Sequence, residues 1–204
     1  MLDKHSSSKN PPLSFRLNNL DTARPQLARL GIEPRTVDLF DLGYHSGVGA
    51  LSGRIIVPIH NADAALIAYA GCLAEPHADP ERLFVPGQFD ASLEVYNLHR
   101  AIAAQSEGVV VVEDFFDCMK VHQAGFPAVV ALMGHEMSEA QEVALVEEFT
   151  TVLLFLDGDD AGWRATQDCV RRLSTQAYVR AAVLPSNSKP IYLSEDEIRA
   201  IIRS

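Results

Sequence analysis

The chain has 204 residues, 48% hydrophobic and 22% charged, enough for a folded core in one ordinary domain or a main domain with a smaller companion. Its formal net charge of −10 excludes a chain that is basic overall, so any hold on a phosphate backbone must rest on a local basic patch, a metal or a partner. Cys72, Cys118 and Cys169 form no Cys-x-x-Cys pair, which excludes a zinc ribbon, and the odd count fits a reducing cytoplasm.

In chain order, residues 1–12 are polar and read as a flexible lead-in without the apolar core of a secretory signal. Asp21 is placed to cap a short helix running to Leu30, closed by Gly31, and Pro34 opens a second helix to about Phe40. Arg54 to Ile59 and Ala65 to Ala70 are apolar strands joined by His60-Asn61-Ala62-Asp63-Ala64, a hairpin pattern. Residues 74–90, with three prolines and Gly87, read as a surface loop. Tyr96 to Gln105 reads as a helix.

From there strands and helices alternate: strand 109–112, helix 115–124, strand 128–132, helix 138–149, strand 151–156, helix 161–174, strand 177–183, helix 194–202. This grammar predicts right-handed crossovers and a parallel sheet. Ser138 with Gln141 and Ser194 with Glu197 predict capping boxes. No apolar run approaches the roughly 18 residues that a membrane crossing needs.

Two of the strands end abruptly in carboxylates. Val109 to Val112 runs into Glu113-Asp114-Phe115-Phe116-Asp117, and Leu153 to Leu156 into Asp157-Gly158-Asp159-Asp160-Ala161-Gly162. Unbroken apolar strands are covered on both faces, and ligands bind beyond the carboxyl ends of such strands. Acidic groups converging there repel unless a cation neutralises them, and a hard divalent ion suits all-oxygen ligation. The alternative is that these acids are helix caps and first-turn residues, and for Asp160 that is the favoured reading.

Glu113 with Asp117, followed by Asp157-Gly158-Asp159, resembles the signature of Toprim proteins. Gly53-Arg54-Ile55-Ile56-Val57-Pro58-Ile59, Ala68-Tyr69-Ala70-Gly71, Tyr96-Asn97-Leu98-His99-Arg100-Ala101 and Ala131-Leu132-Met133-Gly134 extend the likeness to the catalytic core of bacterial-type DNA primases. The resemblance implies an α/β fold: a Rossmann-like Toprim sheet with helices on both faces over residues 106–204, preceded by a smaller α+β subdomain over 13–105. It implies Mg2+ or Mn2+ held by Glu113, Asp157 and Asp159, with Glu113 and Asp117 catalytic. It implies Arg54, Arg82 and Arg100 as contacts to nucleic acid. The implied activity is primer synthesis from nucleoside triphosphates on single-stranded DNA, beside a helicase or another replication protein or on a mobile element. The zinc-binding module usual in that family is absent.

The sequence departs from the family pattern at several places. Asp114 stands where Gly is usual, Cys72 where Arg is usual, and Phe89-Asp90-Ala91-Ser92 where basic residues are typical. Most consequentially, Ser188-Lys189-Pro190-Ile191 replaces an Asp-Pro-Asp-like segment that supplies further metal-binding carboxylates, and neither Lys189 nor Ile191 can bind magnesium. A metal-dependent nuclease and a catalytically silent module that binds nucleic acid or protein therefore stay open beside the primase reading. His135 is placed to reach a phosphate or titrate, while His99 and Trp163 read as packing residues.

Overall fold

In the computed structural model, the residues described are 9–18, 20–22, 25–73 and 83–204. The first of two sheets is antiparallel, with strand order β1 (Gly43–His45), β2 (Arg54–His60), β3 (Leu66–Leu73), β4 (Leu83–Val85). The β2–β3 hairpin turns where Asn61 and Asp63 place it; Asn61 Oδ1 accepts the N–H of Ala65 at 2.9 Å. Pro58 is tolerated inside β2 because β1 pairs with residues 54–56 alone, leaving no neighbour on that side to miss its N–H. Both outer strands are three residues long, and β4 lies within the stretch that reads as a loop.

Two short helices precede this sheet, α1 (Pro25–Arg29) and α2 (Pro34–Leu39). The cap expected of Asp21 falls on residues 23 and 24, outside the described residues. The backbone of Asp21 also bridges to β1: its N–H donates to Tyr44 O and its carbonyl accepts from Tyr44 N, both at 3.0 Å. Of the lead-in, residues 1–8 fall outside the description. Asn10 is already buried and anchored, its amide donating to Asp90 O and its Oδ1 accepting from Asp90 N, each at 2.9 Å. Helix α3 (Leu98–Ala103) begins two residues later than expected because Asn97 takes a left-handed conformation, φ 66°.

The second sheet is parallel, in the order β6 (Val129–Ala131), β5 (Gly108–Val112), β7 (Thr151–Leu154), β8 (Tyr178–Ala181). Between its strands run α4 (Phe115–Gln123), α5 (Glu139–Glu148) and α6 (Asp160–Leu173), and α7 (Glu195–Arg203) follows β8 after a short 3-10 turn at Pro190–Tyr192. Both predicted capping boxes are formed, at Ser138 and Ser194. Successive residues of a strand alternate between two apolar clusters. Val110, Val112, Val129, Ala131, Leu153 and Phe155 face α4 and α7, while Val109, Val111, Val130, Val152 and Leu154 face α5 and α6. Burial on both faces is why the runs Val109–Val112, Val129–Ala131 and Val152–Leu154 carry no polar residue, whereas the outer strand β8, less buried, has Tyr178 and Arg180.

The first cluster does not stop at the parallel sheet. It continues through α4 into Leu27, Val37 and Phe40 of the leading helices and Ile55, Val57 and Ile59 of β2. Polar contacts follow the same path. Gln123, at the end of α4, accepts from Glu33 N at 2.8 Å and from Thr36 Oγ1 at 3.1 Å, and donates to Gly31 O and Glu195 Oε1. Among the described residues no helix is long and apolar enough to cross a membrane.

Candidate functional site

The strand order locates the site. From β5 the chain winds outward to β6, then returns past β5 to β7, so the winding reverses between β5 and β7. A crevice opens at such a switch point, beyond the carboxyl ends of the two strands. Glu113 follows β5 directly, and Asp157 lies just past β7. The N–H of Asp157 donates to Glu113 Oε1 at 3.0 Å, which locks the two acids together. Both are buried, with 4% and 5% of their surface exposed.

Two glycines make this closeness possible. A Cβ on Gly162 would stand 2.2 Å from Asp157 O and 2.9 Å from Glu113 Oε1. A Cβ on Gly158 would stand 2.3 Å from Pro185 O. Gly158 instead donates to Ser188 O and accepts from Asn187 N, both at 2.8 Å, which draws the loop after β8 over the acidic edge.

Each carboxylate has a protein partner. His135 Nδ1 lies 2.6 Å from Glu113 Oε2 and donates to it whenever Glu113 is ionised. Lys189 Nζ pairs with Asp157 Oδ2 at 2.6 Å. Asp117, 1% exposed, accepts from Ile191 N at 2.8 Å, so it is no solvated helix residue. Asp159 caps α6, accepting from Gly162 N at 2.8 Å. Asp160 opens that helix, exposed. Asp114 caps α4 through Phe116 N with φ −120°, an ordinary extended backbone that needs no glycine.

Burial governs the charges. It pushes the Glu113 carboxyl up, and the nearby Asp157 charge adds to the effect. Burial also raises Asp157, partly offset by Lys189. Asp117 is raised furthest, by burial and then by Asp114 and Asp157. Asp159 moves the other way, because the Gly162 N–H favours its charged form. Burial would lower the Lys189 ammonium, but the hydrogen bond and charge of Asp157 outweigh it and raise the net value.

Among the described residues, no three His, Cys, Asp or Glu side chains converge in metal-holding geometry. Yet Asp157 Oδ1 is buried without a hydrogen-bond partner, a vacancy for positive charge beside Glu113. Magnesium commonly takes one or two protein carboxylates and completes its shell with water and phosphate, so Glu113 and Asp157 fit a single such ion.

The candidate nucleic-acid contacts that are described make bonds within the protein. Arg54 donates to Gly71 O at 3.2 Å. Arg100 donates to Leu39 O at 2.9 Å and lies 5.1 Å from the centre of the Phe40 ring, so it fastens α3 to α2. Arg82 lies outside the described residues. His99 is half-buried against His60, with ring centres 5.2 Å apart, in keeping with packing. Trp163 is not a packing residue: it is 55% exposed and lines a cavity of about 280 Å³ with Asp157, Asp159 and Thr166.

The Toprim domain family matches residues 107–184, the span that carries this crevice. The chain contains a Toprim domain. A DNA primase of Legionella pneumophila is 30% identical over 153 residues, covering 71% of this chain and 26% of that protein. The chain therefore spans about a quarter of that relative's length. The zinc-binding and RNA polymerase domains of the Aquifex aeolicus primase superpose with a TM-score of 0.75 at 22% identity, over 87% of this chain and 54% of that one. A primase catalytic domain bound to single-stranded DNA gives 0.73 at 19%, over 89% and 71%. The fold is that of the primase catalytic core, α/β with a parallel Toprim sheet behind an antiparallel one. Two contacts of the Toprim site went unread in the sequence. His135 on Glu113 left no local pattern, whereas Lys189 on Asp157 was signalled by a cation standing where the family has an acid.

Proposed function

We propose that the chain is a primase-like enzyme: its Toprim site transfers nucleotides from triphosphates to a growing primer on single-stranded DNA. The observation that carries this is the locked pair Glu113 and Asp157 at the switch point, with Asp157 Oδ1 buried and unpartnered. Support comes from relatives that are DNA primases and from the shared core fold.

Glu113 is the general base. Held above the usual carboxylate range by burial, it takes the proton from an attacking hydroxyl, and His135, whose Nδ1–H donates to Oε2 at 2.6 Å, orients the carboxylate for that task. Asp117 anchors the loop after β8 through Ile191 N and holds the floor of the site. Mg2+ or Mn2+, held by Glu113 and Asp157 with Asp159 at the rim, would supply positive charge to the triphosphate. Arg54, Arg82 and Arg100 are the proposed contacts to the template, and a helicase or another replication protein is the proposed partner.

The test gives wild type and Glu113→Gln single-stranded DNA with labelled nucleotides, and labelled DNA alone, in magnesium and then manganese. Short products that grow with wild type and vanish in the variant support the proposal. Degraded DNA without synthesis moves the site to a nuclease. Inert protein in both arms favours a silent module, a reading encouraged by the pairing of Asp157 with Lys189.

A further inference from the structure

Lys189 is held as few surface lysines are. The residue before it, Ser188, is clamped through its carbonyl to Gly158 N at 2.8 Å. Two residues on, Ile191 N is tied to Asp117 Oδ1, also at 2.8 Å. Between these anchors Lys189 is extended, φ −128° and ψ 153°, and Pro190 fixes the turn that follows. Its ammonium reaches Asp157 Oδ2 at 2.6 Å, while the Asp157 side chain is 3% exposed and its own side chain 43%.

Exposed Lys–Asp pairs contribute little because both groups are well hydrated alone. A carboxylate buried this deeply differs, since it needs a counter-charge to stay ionised in the fold. Lys189 supplies that charge from a fixed backbone. It holds one oxygen of the acid whose other oxygen has no partner, in the crevice where a divalent ion would sit.

We propose that Lys189 is a tethered resident cation of the Toprim site, competing with divalent metal for Asp157. This deepens the proposed function and rests on reading the site as one that holds a cation. An ion can use both oxygens of Asp157 only when the ammonium withdraws toward solvent. The chain therefore binds free Mn2+ weakly, and removing the ammonium alone strengthens that binding.

The test is Mn2+ titration followed by electron paramagnetic resonance, on wild type, Lys189→Met and Lys189→Met with Asp157→Asn. Methionine keeps an unbranched stem without charge, and circular dichroism checks that each protein is folded. Lys189→Met should bind Mn2+ at least about tenfold more tightly than wild type, and the double variant should lose that gain. Equal affinity in wild type and Lys189→Met overturns the proposal, as does a gain that survives Asp157→Asn.

Should the variant not fold, wild type answers alone. Amine acylation read by mass spectrometry should quicken at Lys189 when Mn2+ is added and stay constant at half-buried Lys120, whose ammonium donates to Gly31 O. No Mn2+ effect at Lys189 overturns the proposal. The two readings fail separately. Tighter Mn2+ binding by Lys189→Met with no primer synthesis by wild type keeps the resident cation and removes the primase. Primer synthesis with equal Mn2+ affinities does the reverse.

Discussion

Glu113 Oε1 accepts the backbone N–H of Asp157 at 3.0 Å, so the acid at the end of one strand sets the position of the acid at the end of its neighbour. The bond uses a main-chain donor, which leaves the Asp157 side chain to pair with Lys189 through one oxygen and keep the other without a partner. It also means that Glu113 has a structural duty as well as a chemical one.

Glu113→Gln separates the two. The amide keeps a carbonyl that can accept from Asp157 N but cannot take a proton. Nucleotide incorporation should fall by about 10² to 10⁴-fold, the usual contribution of a positioned base. The melting temperature should hold or rise, because a buried charge is removed. A large fall in melting temperature would show that the loss of activity is a folding defect.

Gly162→Ala should be damaging for its size. A single methyl would meet Asp157 O at 2.2 Å and Glu113 Oε1 at 2.9 Å, and backbone cannot step aside as a flexible side chain can. Overpacking of this kind costs about 1–3 kcal/mol. Thermal melting should fall by roughly 2–4 °C for each kcal/mol in a chain of this length. An alanine variant with wild-type stability and activity would show that the crevice can widen.

Ser138→Ala removes a capping box and a bridge together. Ser138 Oγ accepts from Gln141 N at 3.0 Å and donates to Ser92 O at 2.5 Å. The loss of such a cap costs about 1 kcal/mol. Urea unfolding should show a lower midpoint with an unchanged slope, whereas Ser138→Thr should recover most of the difference.

His99 sets part of the acid limb of stability. Burial, then Arg100 and His60, lowers its pKa from 6.5 to about 4. A histidine kept neutral in the fold contributes stability that is present above pH 6.5 and lost as pH falls toward about 4, because the unfolded chain takes the proton first. His99→Phe should flatten the stability profile over that window, seen in urea midpoints measured at several pH values. A profile of unchanged steepness would assign the acid limb to carboxylates such as Asp159 and Asp168, whose pKa values are lowered.

The parallel half was the legible part of the fold. Val109 to Val112 and Val152 to Leu154 are buried on both faces, so their composition announces them without help from context. The strands Gly43–His45 and Leu83–Val85 are too short for any periodicity and exist because longer neighbours offer them a ladder. The backbone bridge from Asp21 to Tyr44 is beyond a local reading, because a pairing with a strand more than twenty residues away leaves no nearby pattern. In the site, the acids were legible and their partners were not. Lys189 was read for the ligand it replaces, whereas a side chain long enough to reach Asp157 has a charge to deliver there. Trp163 reads as a packing residue from its place on a helix, but the face a helix turns to solvent depends on how the whole sheet is dressed.

Gln123 is bonded to Glu33, Thr36, Gly31 and Glu195 at once, and the apolar cluster beside it runs unbroken from β2 to α7. Division of the chain near residue 105 is therefore a matter of topology more than of mechanics. A protease nick in that connection would leave two pieces still gripping each other, and residues 106–204 produced alone would present a raw greasy wall along α4. The catalytic edge and the antiparallel sheet should melt as one body, so damage to either is felt by both.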